Sequence, residues 1–333
     1  MKSKILLTGG AGFLGSHLDD ELVQRYDVVI LDDLSGGFAS NIPPQAQFVQ
    51  GSILDNQLIE SLFKRHRFRY VYHLAAYAAE GLSHFIKRFN YENNLIGSVN
   101  LINASVNHTV ECFVFTSSIA VYGENQVPMH EKMIPQPEDS YGISKLAVEQ
   151  ELKVSHRLFG LDYVIFRPHN VYGERQNLGD PYRNVIGIFM NQIMQGLPLR
   201  IFGDGKQTRA FSYVKDVVPM IADAPQNRDA YGNIFNVGAD VAYSVYELAV
   251  HIGSTMGVNP DILYEEARKE VTHAYASHEK LRGYFTCPPQ TSLTEGLKRM
   301  ASWAKEMGAR RGQAFSAVEI KRGLPPSWQN LNG

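Results

Sequence analysis

Tyr141 and Lys145 stand four residues apart in the stretch DSYGISKLAVEQ, a spacing that puts both side chains on one face of a helix. A free phenol, with a pKa of about 10, is a poor base at neutral pH. An ammonium group one turn away favours the phenolate, so the pair could take a proton from a sugar or alcohol hydroxyl. A second stretch, FTSSIAVYG, runs from an apolar strand pattern over 113–116 into the hydroxyls of Thr116, Ser117 and Ser118. A strand that ends in hydroxyls is a natural edge for such a site. The next two residues, Ile119 and Ala120, cannot move a proton.

These residues need a scaffold. Short apolar runs over 4–7, 28–31, 48–50, 70–74, 112–116 and 163–167 read as strands, several of them apolar on both faces. Helical spacing fills the intervals at 13–25, 57–65, 93–107 and 142–159; in the third of these, Leu95, Val99, Leu101 and Ile102 form the apolar face. The alternation predicts an α/β fold, a Rossmann-like doubly wound parallel sheet. Residues 1–170 form the predicted dinucleotide-binding domain, with segments near 210–220 and 233–240 returning to it. Residues 171–330, richer in Pro and Gly, form a smaller, mixed substrate-binding lobe over the carboxyl ends of the strands. The tail KRGLPPSWQNLNG reads as extended or poorly ordered.

Between the first strand and first helix lie Gly9, Gly12 and Gly15, in ILLTGGAGFLGSHL. Glycines there permit a tight turn and close approach of a pyrophosphate to the helix N-terminus, where free N–H groups point outward. Phe13 and Leu14 belong to the same turn. The second strand is followed by Asp32 and Asp33. Asp32, 17 residues beyond Gly15, suits the two hydroxyls of an adenosine ribose and repels a 2′-phosphate. With no arginine in LDDLSGG, the cofactor expected is NAD rather than NADP. The positive nicotinamide would then join Lys145 in favouring the Tyr141 phenolate.

Bulk properties narrow the class. The chain has 333 residues, 44% hydrophobic and 20% charged, with a formal net charge of −2. That balance gives no global basic field for nucleic acid or an anionic membrane. No apolar stretch approaches the length of a membrane span. Cys112 and Cys287 are far apart and form no metal or redox motif; Cys112 reads as a core residue. No metal site is expected, and the expected location is cytoplasmic.

The glycine loop, Ser118, the Tyr141–Lys145 pair and the later RPHNVYGE together resemble the extended short-chain dehydrogenase/reductase family. Within it the chain is similar to the nucleotide-sugar epimerases and dehydratases, over about residues 4–296. The resemblance implies that Ser118 shares a hydrogen-bond path between the sugar hydroxyl and Tyr141. It implies a cofactor groove lined by Leu74, Ala75, Ala76, Tyr77 and Thr116, with Asn94 supporting the adjacent loop and Pro168 near the nicotinamide. Asn170, Phe202, Arg209 and Arg268 are implied contacts of the substrate's sugar, base and diphosphate. Where the family often has an acid contacting adenine, this chain has Ser52, so the contact would pass to Ser52 and the Ile53 backbone. His169 replaces the usual large aromatic and could face the sugar. Arg175 and Arg183 could meet a sugar carboxylate.

In this family, dehydratases place Asp-Glu directly after the catalytic hydroxyl, and decarboxylases usually place a Glu second. Ile119 and Ala120 fill those positions here. The resemblance therefore implies epimerisation at C4 of a UDP-sugar through a transient 4-keto intermediate. The alternatives are a dehydratase or decarboxylase, a C2- or C3,5-epimerase, and a non-catalytic NAD-binding sensor on the same fold. It also implies a homodimer through a four-helix bundle, with the helices over 93–107 and 142–159 supplied by each subunit.

Overall fold

The apolar runs become strands of a seven-stranded parallel sheet: β1 (Lys4–Thr8), β2 (Asp27–Asp32), β3 (Gln47–Gln50), β4 (Tyr70–His73), β5 (Cys112–Thr116), β6 (Asp162–Pro168) and a last strand, Asn233–Val237. This computed structural model describes residues 2–312 and 314–329. From one edge the strand order is Asn233–Val237, β6, β5, β4, β1, β2, β3. Chain order reverses between β1 and β4, which pair in register from Ile5 with Tyr70 to Thr8 with His73. In open α/β sheets the ligand crevice forms at such a reversal, beyond the carboxyl ends of the strands.

Both faces of the sheet are covered, so its strands need apolar residues on both sides. Leu7, Ile30, Val114 and Val164 face one core; Leu6, Val29, Phe113 and Ile165 face the other. Cys112 is a fully buried member of the first core. β3, at the edge, is the exception, with no buried residue.

The helix predicted over 93–107 is longer and interrupted. Backbone helix runs from Lys87, passes through a π turn at Glu92–Ile96, and ends at Asn107. The turn carries Asn94, whose Oδ1 accepts from the Tyr77 N–H (2.8 Å) and whose Nδ2 donates to the Tyr77 carbonyl (3.1 Å). A π turn shifts the side-chain register, here at the residue that holds the loop after β4. The helix Ser140–Phe159 starts on Asp139, whose side chain accepts from the Gly142 N–H (2.8 Å), and stops at Gly160 in the left-handed conformation.

Beyond β6 lie the helices Val185–Met194, Val245–Met256 and Leu293–Met307 and small sheets that pair distant segments. Leu199–Phe202 pairs with Ile262–Glu265; Thr208–Ala210 pairs with both Ala242–Ser244 and His273–Ala274. The tail departs from the sequence reading. Residues Pro326–Gln329 form a helical turn, and Trp328 is buried against Ala79, Leu82, Ile86 and Leu324. Two prolines and a glycine look disordered in isolation, but a tryptophan with an apolar slot to fill can order them. The last four residues of the tail lie outside the described residues. No described helix is long and apolar enough to cross a membrane.

Candidate active site

One cleft of about 1590 Å³ extends from the glycine loop to Trp328. At its first end, Gly9 has φ +75, and a Cβ there would lie 2.7 Å from the Ala75 nitrogen; a Cβ on Gly15 would lie 2.1 Å from the Gly9 carbonyl oxygen. Only glycine lets the turn, the helix start and the loop after β4 approach this closely. Asp32 stands at the end of β2. Its carboxylate accepts from the Ala11 N–H (3.0 Å) and the Leu34 N–H (2.8 Å), and burial pushes its pKa up. The cradle fits a dinucleotide: close backbone, a helix N-terminus at Gly12, and one acid with lone pairs to spare.

Phe13, Leu14, Asp33, Ile53, Leu74, Ala75, Ala76, Tyr77, Thr116 and Pro168 line the same cleft. Two residues assigned to the cofactor do not. Ser52 is drawn into its own turn, its Oγ accepting from the Leu54 N–H (3.1 Å). Asn94 is buried beneath Tyr77 and acts on the backbone there.

At the middle of the cleft Ser118, Tyr141 and Lys145 converge. β5 ends at Thr116, and Ser118 caps the short turn Ile119–Tyr122 by accepting from the Ala120 N–H (3.1 Å). The Lys145 ammonium donates to the Thr116 carbonyl (2.8 Å) and lies 4.7 Å from the centre of the Phe115 ring and 5.7 Å from that of Tyr141. Burial brings Lys145 down to about 7, against which Glu149 acts. Burial pushes the Tyr141 phenol up; the Glu80 charge adds to this, and Ser118 opposes it. The protein by itself thus holds the phenol protonated, the reverse of the expectation from the Tyr–Lys spacing alone, because desolvation outweighs an ammonium that is itself desolvated.

Behind Lys145 lies a buried ion pair that the sequence did not announce. Arg167 donates to both carboxylate oxygens of Glu149 (2.8 and 2.5 Å), Ser117 donates to Glu149 (2.5 Å), and the guanidinium lies over the Tyr122 ring. Tyr122 is packed away from the cleft, its hydroxyl donating to Asn236 (2.8 Å).

Ile119 and Ala120 do not line the cleft. Ile119 packs with Val121, Tyr122, Met129 and Ala276. The cleft acids whose charges act on Tyr141 are elsewhere, Glu80 and Asp139. Water reaches Glu80 through the mouth of the cleft, yet the protein crowded around its carboxyl, with Asp139 close by, pushes it up to about 7.

Three other expectations change. His169 does not face the cleft. Its Nδ1 donates to the Ala210 carbonyl (3.0 Å) and its Nε2 accepts from His278 (3.0 Å), whose other nitrogen meets Asp240 (2.8 Å). Burial drives His169 down to about 3, so it is neutral. Arg175 pairs with Asp20 on α1 (Phe13–Arg25), outside the cleft. Arg183 is in the cleft, but its charge is met by Asp180 and its face lies over Tyr77.

At the far end, with Trp328, stand Phe202, Arg209 and Arg268, while Asn170 lines the cleft just beyond β6. Arg209 donates to the carbonyls of Thr208, Val271 and Thr272. Arg268 lies 4.1 Å from the Phe202 ring centre and 5.4 Å from that of Trp328. Trp328 was missed; the one cue available was a tryptophan inside an otherwise polar, Pro-containing tail.

A family model described as NAD dependent epimerase/dehydratase family matches residues 5–238. Among solved structures, the UDP-glucose 4-epimerase of Thermotoga maritima with UDP-glucose is 35% identical, with a TM-score of 0.86, over 91% of this chain and 99% of its own. The UDP-glucose 4-epimerase of Thermus thermophilus, in complex with NAD, is 30% identical, with a TM-score of 0.83, over 90% of this chain and 98% of its own. A relative of different activity, the UDP-N-acetyl-alpha-D-glucosaminuronate decarboxylase of Bacillus cytotoxicus, is 31% identical over 92% of this chain and 99% of its own.

Proposed function

This chain belongs to the NAD dependent epimerase/dehydratase family, and from that premise we propose that it is an NAD-dependent 4-epimerase of a UDP-sugar. The observation that carries the reading is the meeting of Ser118, Tyr141 and Lys145 midway along one cleft, between the glycine cradle with Asp32 and the arginines at the far end. NAD, held by Gly9, Gly12, Gly15 and Asp32, would supply a reversible hydride acceptor and a positive charge beside Tyr141. Tyr141 as phenolate takes the proton of the sugar 4-hydroxyl, with Ser118 in the hydrogen-bond path, and C4 becomes a ketone as its hydride leaves. Once the keto sugar had turned in the cleft, the hydride would return from NAD to its other face, and Tyr141 would give the proton back. Lys145, anchored on the Thr116 carbonyl, holds the charge balance of the phenol. Arg209 and Arg268 suit the diphosphate, because planar guanidinium groups bind phosphate oxygens in pairs.

A second reading, elimination from the keto sugar, is favoured by Glu80, a cleft acid near Tyr141 that could serve where positions 119 and 120 do not. Incubation with UDP-glucose or UDP-galactose and NAD, followed by proton NMR, separates the two. Interconversion of the pair supports the epimerase; an unsaturated or deoxy keto sugar would overturn it in favour of elimination.

Homodimerisation belongs to the same proposal. The helices Gly97–Asn107 and Ser140–Phe159 pack together, and Ile96 and Ile143 on this side are exposed. Sedimentation at micromolar concentration is expected to show a dimer.

A further inference from the structure

After the helix Leu293–Met307 the chain runs back across the mouth of the cleft and touches both of its sides. Near its start, Arg310 exchanges hydrogen bonds with the Asn191 side chain (2.8 and 2.9 Å). Phe315 donates its N–H to the Tyr182 hydroxyl (3.0 Å) and packs its ring on Phe89 and Tyr77. The Glu319 carboxylate accepts from the N–H groups of Arg88 (2.9 Å) and Phe89 (2.8 Å), at the start of the helix Lys87–Tyr91. The N–H groups of Glu319 and Ile320 both reach the Phe85 carbonyl. The anchors at Tyr77, Phe85, Arg88 and Phe89 lie on the stretch after β4, whereas Asn191 and Tyr182 belong to the other lobe. The final turn meets both sides: Ser327 donates to Glu265 (2.8 Å), and Trp328 packs on Ala79, Leu82 and Ile86 and meets Phe85, Tyr182 and Phe202 edge-on.

The consequence falls on Arg268. Its guanidinium is in reach of the Phe202 ring and of the Trp328 ring, which stand on adjacent sides of it and meet each other edge-on. Gly81 leaves room for this, since a Cβ there would stand 3.2 Å from Trp328 and 3.5 Å from Arg268. Contact with aromatic rings uses none of the guanidinium's N–H groups, so those without a partner are able to meet an anion. Nη2 donates to Glu270 (3.2 Å), and Nε has no partner among the described residues. Arg209, by contrast, is already donating to three carbonyls.

We propose that the segment 314–329 is a built wall of the nucleotide end of the cleft, and that Trp328 is a positioning residue that packs beside both Arg268 and Phe202 and holds the guanidinium toward the substrate's diphosphate. The proposal rests on the nucleotide-sugar reading above. It adds a determinant of affinity from a part of the chain beyond the family match at 5–238.

The test uses the full-length protein with NAD and follows UDP binding by calorimetry. The Trp328→Ala variant is expected to bind UDP about tenfold more weakly, the scale of one cation–π contact. KM for the nucleotide sugar is expected to rise similarly, while kcat stays within threefold and NAD affinity is unchanged. Trp328→Phe, which keeps a ring, should recover most of the loss. In a Trp303→Phe background, Trp328 is the chain's one remaining tryptophan, and its emission should change saturably with UDP. UDP affinity within twofold of wild type in Trp328→Ala, or emission indifferent to bound UDP, would overturn the role of the strap while leaving the enzyme reading intact. A wild-type protein that bound no nucleoside diphosphate would overturn that reading and the strap proposal together.

Discussion

The two ends of the cleft are built by different means. The cofactor end is made largely of backbone: a glycine turn, a helix N-terminus, and Asp32 bound to two main-chain N–H groups. Its parts are neighbours in sequence or one strand apart. The far end, proposed above to take the nucleotide sugar, is made of side chains held by other side chains, among them Tyr182, Phe202, Arg268 and Trp328. They come from separate segments, and none of their orientations follows from local structure. A backbone site imposes a motif on the sequence, whereas a side-chain site can be assembled in many ways and leaves only weak marks.

That contrast can be tested by breaking each part. The largest effect belongs to the centre that both ends serve. Tyr141→Phe is expected to lower turnover by about 10²–10⁴-fold while calorimetry shows NAD and UDP still bound; unimpaired turnover would remove Tyr141 from its role. Next comes the buried support behind the site. Glu149→Ala strands the Arg167 charge in the core, and a urea titration should show a loss of about 3–5 kcal/mol.

Asp32→Ala sharpens the comparison directly. Losing the acceptor of two backbone N–H groups should cost about 1–3 kcal/mol of stability and weaken NAD binding at least tenfold, with UDP affinity unchanged. A parallel loss of UDP affinity would show that the ends are not separable.

Another effect concerns pH. Lys145 titrates near 7 in the folded protein and near its ordinary 10.4 when unfolded. Between these values the unfolded chain binds more protons, so this group makes stability rise with pH across that window. Lys145→Met should therefore be more resistant to urea than wild type at pH 7, with the advantage shrinking toward pH 10. The smallest effect is expected at Arg175, paired with Asp20 outside the cleft. Arg175→Ala should change stability by no more than about 0.5–1 kcal/mol and leave the rate with any accepted sugar unchanged.

His169 and the pair Ile119–Ala120 show where sequence reading reached its limit. His169 stands between two cleft-lining residues, Pro168 and Asn170, yet its ring turns toward His278, 109 residues away. Ile119 and Ala120 lack acids, as read, but the fold packs both away from the cleft. The cleft acid whose charge acts most on Tyr141 is instead Glu80, three residues beyond the groove-lining Tyr77.

The sequence by itself determined the strand–helix alternation, the glycine cradle with Asp32, and the spacing that puts Tyr141 and Lys145 on one helix face. Each follows from short-range geometry: side-chain period, the room a Cβ takes, and the pitch of a helix. Tertiary structure alone decided the rest. It set the protonation tendencies of Tyr141 and Lys145, because burial outweighs the neighbouring charge. It turned His169 inward and Arg175 outward. It brought Trp328 from the tail onto Arg268, because an aromatic ring gains more by filling a slot across the cleft mouth than the polar chain around it loses by being ordered.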